Sequence, residues 1–176
     1  MATNIFVSSS PYCLYPIEGR FGYADRSDMP EKRTLERARR DKRQGKAAST
    51  QAGEFVREEM HHIREGKHGA ASTKQAIAIG LSKARRSGVK LRPPAKGRTS
   101  EKTRRSAMSA YRKGQRHQPV SGRRSEARSK ALRRQGRSAA SHKALSRQAH
   151  SAARRRTGAS RSAAARKAAR TRARRR

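Results

Sequence analysis

Three histidines and several glutamates lie close together in the stretch EFVREEMHHIREGKHG, which makes it the segment best suited to hold a metal ion. Glu58 and His62 are four residues apart, so they share one face of a helix. A zinc site needs three or four fixed ligands, but His68 follows in a glycine-rich loop that is expected to be flexible. His61, His62 and His68 also lack evident outer hydrogen-bond partners. The sequence therefore predicts solvated or phosphate-facing histidines, no metal and no cofactor.

Other catalytic groups are equally poorly supported. The carboxylates Glu54, Glu58 and Glu59 are predicted to form a solvated helix face paired with Arg57 and nearby lysines. No serine lies in a strand–turn–helix elbow, and no aspartate is placed to orient a histidine. The stretch GRTSEKT lacks the glycine frame of a phosphate-binding loop. We therefore expect no catalytic residue, no small-molecule substrate and no enzyme activity.

Charge is the dominant feature of the chain. The formal net charge is +35 over 176 residues, and residues 96–176 alone hold twenty-eight basic and two acidic side chains. Such a segment repels itself strongly unless a polyanion neutralises it. Arginine outnumbers lysine there, and its forked guanidinium binds phosphate through two hydrogen bonds. The sequence therefore predicts a phosphate polymer as partner.

Apolar content limits the size of any core. Hydrophobic residues make up 32% of the chain, many of them alanine, and tryptophan is absent. Low hydrophobicity combined with high net charge is typical of segments that remain partly disordered. The single cysteine, Cys13, excludes an internal disulfide, and no apolar run is long enough for a membrane span. We expect a cytoplasmic protein with no membrane partner.

Residues 1–28 differ from the rest because they are nearly uncharged and hold five of the seven aromatic side chains. Two interpretations stay open for this leader. Met29 is the true start and the leader is translated upstream sequence, or the leader is an aromatic arm that binds a partner.

The ordered part of the chain is predicted to be helical. A basic helix is expected from Glu31 to Gln44, followed by helices from about Gln51 to Glu65 and from Ser72 to about Ser87. Ser49 and Thr50 offer an N-cap for the second helix, and the spacing of Ser72 and Gln75 matches a capping box for the third. Apolar residues at helical spacing predict the core of a small helical hairpin, formed by Phe55, Val56, Met60, Ile63, Ile77, Gly80, Leu81 and Ala84.

Beyond Pro93 and Pro94 the chain is repetitive. RSEARSKALRRQG is followed directly by RSAASHKALSRQA, and a looser third copy begins at Arg161. Alanine, arginine and lysine favour helix, while like charges four residues apart oppose it until phosphate screens them. The predicted fold class is all-α, a small helical hairpin plus basic, partly disordered tail helices and no β-sheet. The predicted units are a leader (1–28), a basic helix (29–48), the hairpin (49–92) and the basic tail (93–176).

The segment around KQAIAIGLSKAR and REGKHG resembles a short bacterial domain of unknown function found in small basic proteins often labelled DNA-binding. The resemblance covers about 40 residues and implies no catalytic residues. It favours DNA over RNA and a bacterial origin. The tail separately resembles the Ala/Arg/Lys-rich extensions of linker-histone-like proteins, in composition only.

The sequence predicts a nucleoid-associated protein that binds the DNA backbone without sequence preference, since it contains no base-reading module. Two alternatives remain: an RNA- or ribosome-binding protein, and an adaptor whose hairpin docks a protein or self-associates. The predicted DNA contacts are Lys74, Lys83, Arg85, Arg86, Arg123, Arg124, Arg133, Arg134, Arg154, Arg155, Arg156, Arg166, Lys167, Arg170 and Arg174.

Overall fold

The computed structural model describes residues 29–119 and 121–173, and these form seven α-helices and no β-strand. The all-α class is thereby confirmed. The leader (1–28) and Arg174 lie outside the described residues, so the structure does not bear on either interpretation of the leader. No helix within the described ranges is long and apolar enough to cross a membrane. The helices are α1 (Lys32–Arg43), α2 (Ala48–Glu65), α3 (Thr73–Arg86), α4 (Glu101–Gln115), α5 (Gly122–Arg133), α6 (His142–Arg154) and α7 (Gly158–Ala173), with a 3-10 helix (Ser138–Ala140) between α5 and α6.

Local signals determine the ends of α2 and α3. Gly66 has φ of 80° and ends α2, because a left-handed residue without a Cβ suits the position after a helix. The Ser72 hydroxyl accepts a hydrogen bond from the Gln75 N–H at 3.2 Å, while the Gln75 side chain accepts one from the Ala71 N–H at 2.8 Å. The predicted capping box is therefore present, with the glutamine reaching one residue further back.

The predicted N-cap of α2 is wrong. The helix begins at Ala48, and its N-cap residue Ala47 makes no side-chain capping hydrogen bond. Ser49 and Thr50 consequently lie inside the first turn and cannot cap it. The start of α2 is set instead by the short connection from α1, where the side-chain amide of Gln51 donates a hydrogen bond to the Lys46 carbonyl oxygen at 2.9 Å.

Gly80 lets α2 and α3 pack closely. A Cβ at this position would lie 2.7 Å from the Val56 Cα and 3.1 Å from the Phe55 carbonyl oxygen. Both are backbone atoms, so the two helices would have to separate to admit a methyl group. This is the close approach expected of a glycine inside a helix that faces another helix.

The apolar core consists of two small clusters on either side of the α2–α3 contact. Phe55 and Ala84 belong to one cluster, which Ala38, Ala52 and Val89 complete. The other cluster comprises Met60, Ile63, Ala70, Ala76, Ala139 and Ala140. Of the residues predicted for the core, Phe55, Met60, Ile63, Gly80 and Ala84 are buried, whereas Val56, Ile77 and Leu81 are partly buried.

Three elements outside the hairpin complete this core. α1 packs on α2, α4 packs on α3, and the 3-10 helix contacts both α2 and α3. Gly114 of α4 is needed for its contact, because a Cβ there would clash with the Arg85 carbonyl oxygen. The 3-10 helix is held by the Thr73 hydroxyl, which donates to the Ala139 carbonyl oxygen at 2.7 Å, and by Arg64, whose Nε donates to the Ala140 carbonyl oxygen at 2.9 Å.

The two sequence repeats adopt different structures. In the first copy, residues 124–133 lie within α5, and Leu132 is buried. In the second copy a 3-10 turn precedes Ser141, which caps α6 by accepting from the Ala144 N–H at 3.2 Å. Leu145, the counterpart of Leu132, packs against the cluster that contains Ile63. Sequence similarity between the copies therefore does not produce a structural repeat.

Candidate functional site

The C-terminal helices present a dense basic surface. Residues 121–173 contain seventeen lysines and arginines, and all of them are exposed. Glu126 is the one acidic residue in that range. α7 has no buried residue, and its cations are distributed around the helix rather than along one face. Within residues 121–173 the cations therefore outnumber the carboxylates seventeen to one.

Most of the predicted DNA contacts lie on exposed positions. Arg86 is partly buried, and one of its terminal nitrogens lies 3.5 Å from the Pro119 carbonyl oxygen. The exposed members of the predicted set are Lys74, Arg123, Arg124, Arg133, Arg134, Arg154, Arg155, Arg156, Arg166, Lys167 and Arg170. The exposed set is therefore concentrated in α5–α7 and the connections beside them.

Lys83 and Arg85 do not suit the phosphate-binding role predicted for them. Lys83 is 7% exposed, and its Nζ lies 2.9 Å from Glu59 Oε2. Arg85 is also 7% exposed, its Nε donates to the Leu91 carbonyl oxygen, and burial lowers the pKa of its guanidinium. Both side chains project toward neighbouring elements, so they are withdrawn from solvent and from any phosphate.

Glu59 lies at the centre of a buried ionic cluster. It is fully buried, with His68 Nε2 3.1 Å from Oε1 and Lys83 Nζ 2.9 Å from Oε2. Burial alone would raise the pKa of Glu59, but the hydrogen bond from His68 and the charge of Lys83 outweigh it and lower the pKa. The hydrogen bond to Glu59 raises the pKa of His68 against the opposing effect of burial. The carboxylate is thus held ionised inside the protein.

A second ionic cluster surrounds His62, which is 4% exposed and contacts two carboxylates. The His62 Nε2 lies 2.9 Å from Glu31 Oε1 and 3.8 Å from Glu58 Oε1. Glu58 Oε1 also accepts a hydrogen bond from the Glu31 N–H at 3.0 Å. The hydrogen bond from His62 lowers the pKa of Glu31. The start of α1 is thereby fastened to α2 through polar contacts.

The solvated carboxylate face predicted for α2 is therefore wrong for Glu58 and Glu59, which are buried. The prediction of solvated or phosphate-facing histidines is wrong for His62 and His68, which are also buried. The residue before α1 and the loop after α2 cover that side of the helix, and helical periodicity does not reveal such a cover. His61 and Arg57 are exposed, as predicted for a solvated face, and Glu54 is partly buried against Arg37 at 2.7 Å.

A protein-family model matches part of this region. Residues 47–96 match a family described as Family of unknown function (DUF6496). This confirms the resemblance to a domain of unknown function. The matched range includes α2, α3 and the loop with His68. No curated protein and no solved structure matches the chain.

Proposed function

We propose that this protein binds duplex DNA through the phosphate backbone, without sequence preference, and acts as a nucleoid-associated protein of a bacterial cell. The observation that supports this most strongly is the exposed surface of residues 121–173, with seventeen cations and one acidic side chain. The bacterial setting and the preference for DNA rest on the resemblance of the hairpin segment to small basic proteins.

The mechanism is counterion release. Each phosphate neutralised by a lysine or arginine frees condensed cations from the duplex, and the logarithm of affinity falls with the logarithm of salt concentration by about 0.9 per phosphate. Arginine-rich helices suit this role because a guanidinium can bind two phosphate oxygens at once. Contacts of this kind position a protein on DNA without reading bases.

The structure narrows the set of residues proposed for these contacts. Lys83 and Arg85 are withdrawn from the set because they are buried and have partners within the protein. The proposal rests instead on the exposed cations of α5–α7 together with Lys74. α7 is the clearest part, because no residue of it is buried and substitutions there leave the core intact.

The experiment is a salt series with a labelled DNA duplex and a structured RNA of equal length, using the full chain. One variant neutralises four exposed cations of α7: Arg161→Gln, Arg166→Gln, Lys167→Gln and Arg170→Gln. The matched control neutralises four exposed arginines of α1: Arg33→Gln, Arg39→Gln, Arg40→Gln and Arg43→Gln. The two variants have the same net charge, so only the position of the charge differs.

We expect the α7 variant to lower the salt slope by about 3 to 4, as removal of four phosphate contacts requires. The α1 control should change the slope by less than half of that. Equal losses in the two variants would show that net charge, rather than the tail, governs binding. Tighter binding of RNA at every salt concentration would replace the proposal with the RNA- or ribosome-binding alternative.

The full chain is needed because a truncation after Leu91 removes parts of the core. α4 packs on α3, and Ala139 and Ala140 belong to the same apolar cluster as Ile63. A truncated protein that failed to bind DNA could simply be unfolded. Sedimentation of the full chain at several concentrations tests the adaptor alternative, since self-association without DNA would favour it.

A further inference from the structure

We propose that Glu59, His62 and His68 form a binding site for a late first-row divalent cation, with Zn²⁺ as the metal to test. One ligand atom from each residue lies within 4.8 Å of those of the other two, and all three side chains are buried. Glu59 and His62 are three residues apart on α2 and so face the same way. His68 comes from the loop that follows. The site is independent of the nucleic-acid surface.

The outer nitrogen of each histidine is already held by a group that only accepts hydrogen bonds. His62 Nε2 lies 2.9 Å from the Glu31 carboxylate, and His68 Nδ1 lies 3.2 Å from the Gly69 carbonyl oxygen. Both nitrogens must therefore carry the hydrogen. Metal-binding histidines show this arrangement, because a carboxylate or carbonyl on one ring nitrogen orients the other toward the metal.

The remaining ring nitrogens then require a cation. His62 Nδ1 is buried and has no hydrogen-bond partner among the described residues. An orphaned buried polar atom of this kind destabilises the folded state, because it has lost its hydrogen bonds to water. In the neutral ring His68 Nε2 is an acceptor, yet it faces the acceptor Glu59 Oε1 at 3.1 Å. Only a proton or a metal ion between these two atoms makes the contact favourable, and a proton on His68 leaves His62 unsatisfied.

The distance between these two atoms agrees with tetrahedral coordination. Zinc bonds of about 2.0–2.1 Å to nitrogen and oxygen at tetrahedral angles place neighbouring ligand atoms about 3.3 Å apart. His68 Nε2 and Glu59 Oε1 are 3.1 Å apart. Zinc binds to sets of two imidazoles and one carboxylate, whereas magnesium and calcium prefer oxygen ligands and bind imidazole poorly.

The second oxygen of Glu59 has a basic partner. Lys83 Nζ lies 2.9 Å from Glu59 Oε2, while Oε1 faces His68. Metal-ligating carboxylates commonly have such an outer partner on the oxygen that does not bind the metal. Glu31 and Glu58 add negative charge beside His62, and Lys83 and Arg133 line the cavity next to Glu59.

The space at the site indicates a structural rather than a catalytic role. The cavity lined by Glu59, His68 and Lys83 has a volume of about 10 Å³, which is space for roughly one water molecule. It has no room for an organic substrate. A metal here would join α2 to the loop after it. That loop is in turn bonded to the end of α5, where the Gly69 N–H donates to the Leu132 carbonyl oxygen at 3.0 Å.

The first test is thermal unfolding of untagged, nucleic-acid-free, chelator-treated full-length protein with Zn²⁺ or Mg²⁺. At Zn²⁺ one hundred times above the dissociation constant we expect the melting temperature to rise by about 5–10 °C. Mg²⁺ should leave it unchanged. Co²⁺ should bind with 1:1 stoichiometry and the visible absorption of a tetrahedral site. The absence of any Zn²⁺ effect, or an equal effect of Mg²⁺, would overturn the proposal.

Variants assign the ligands. His62→Gln, His68→Gln and Glu59→Gln should each weaken Co²⁺ binding more than 100-fold, a loss larger than that typical of an outer partner. His61→Gln is the matched histidine control because His61 is exposed, and Glu65→Gln is the matched carboxylate control because Glu65 is exposed on the same helix. Both should retain most of the affinity. Glu58→Gln separates the two candidate ligand sets, because Glu58 contacts His62. If Glu58→Gln abolishes binding and Glu59→Gln does not, the metal lies among Glu31, Glu58 and His62 instead and the proposed site is wrong. The wild-type Co²⁺ spectrum decides the matter even if a ligand variant fails to fold.

Discussion

Two lysines illustrate that charged side chains are buried in one region of this molecule, the helices around α2, and exposed in another, the helix α7. Lys83 in α3 is 7% exposed and paired with a fully buried carboxylate, whereas Lys167 in α7 is exposed on a helix with no buried residue. The helices around α2 bury ionic groups and pair them internally. α7 leaves its cations to solvent. A basic residue therefore contributes to stability in the first region and is available to an external polyanion in the second.

The largest expected effect is on the core. Phe55→Ala removes a ring that is 1% exposed, and we expect it to lower the free energy of unfolding by about 3–5 kcal/mol. Ala164→Gly in α7 should leave the global unfolding free energy unchanged, because no residue of α7 is buried. Denaturant titration followed by circular dichroism measures both. A comparable loss in the α7 variant would mean that α7 is part of the cooperative unit.

The next effect separates the two lysines. Lys83→Met removes an ionic partner of the buried Glu59, and removing one partner of a buried pair costs about 3–5 kcal/mol. Lys167→Met, at an exposed position, should change stability by no more than about 0.5 kcal/mol. DNA affinity should show the reverse order when measured at temperatures where both variants are folded. Weaker DNA binding by folded Lys83→Met than by Lys167→Met would contradict the comparison.

Two glycines inside helices offer a finer test. Gly80→Ala brings a methyl group within 2.7 Å of the Val56 Cα, whereas a Cβ at Gly53 meets nothing within 4 Å. Gly80→Ala should destabilise by about 1–3 kcal/mol, as overpacking does. Gly53→Ala should stabilise by about 0.5–1 kcal/mol, because alanine favours helix. The melting temperatures of the two single variants give the sign of each stability change, and changes of the same sign would contradict the close packing of α2 and α3.

The smallest effect is the pH dependence of the chelator-treated protein. The pKa of His68 is raised, so its contribution to stability is complete below about pH 6.5 and is lost as pH rises through the folded-state pKa. The pKa of Glu59 is lowered, so its contribution is present above about pH 4.5 and is lost as pH falls through the folded-state pKa. The unfolding free energy should therefore be highest between these limits.

His68→Gln removes the group responsible for the loss of stability at alkaline pH. In that variant the unfolding free energy should no longer decline as pH rises above neutrality. Zn²⁺ should also remove the decline in the wild-type protein, because a metal needs the neutral imidazole. A decline that persists in His68→Gln would assign the alkaline loss to another group.

Features of the fold that depend on neighbouring residues were predictable. Ser72 and Gln75 cap α3 as predicted, and Gly66 and Gly88, both with positive φ, follow the ends of α2 and α3. Capping depends on residues within one turn of a helix end, so it can be predicted from a short stretch of sequence. The parts of the core supplied from a distance were not predictable, because Ala139 and Ala140 come from a tail whose composition indicates only solvent exposure.

The candidate sites divide along the same line. The basic surface is evident from composition, since so many arginines in one segment cannot all be buried. The burial of Glu59, His68 and Lys83 was not evident, because Ser129 and Leu132 of the distant helix α5 lie beside them. Gly69 was a weak sequence signal of this burial, because the structure requires a glycine at that position: a Cβ there would clash with the Gln135 carbonyl oxygen. Its need for glycine belongs to a contact between the loop and the tail.

The sequence by itself determined the all-α class, the ends of most helices around the hairpin and the location of the positive charge, because helix propensity, capping and charge are properties of the residues and their near neighbours. The tertiary structure alone decided which charged groups are buried, which lysine meets Glu59 and which histidine nitrogens lie together. Those outcomes depend on how α1, α4 and the 3-10 helix pack on α2 and α3. This packing brings together residues that lie on different elements, and the pattern within one helix does not specify it.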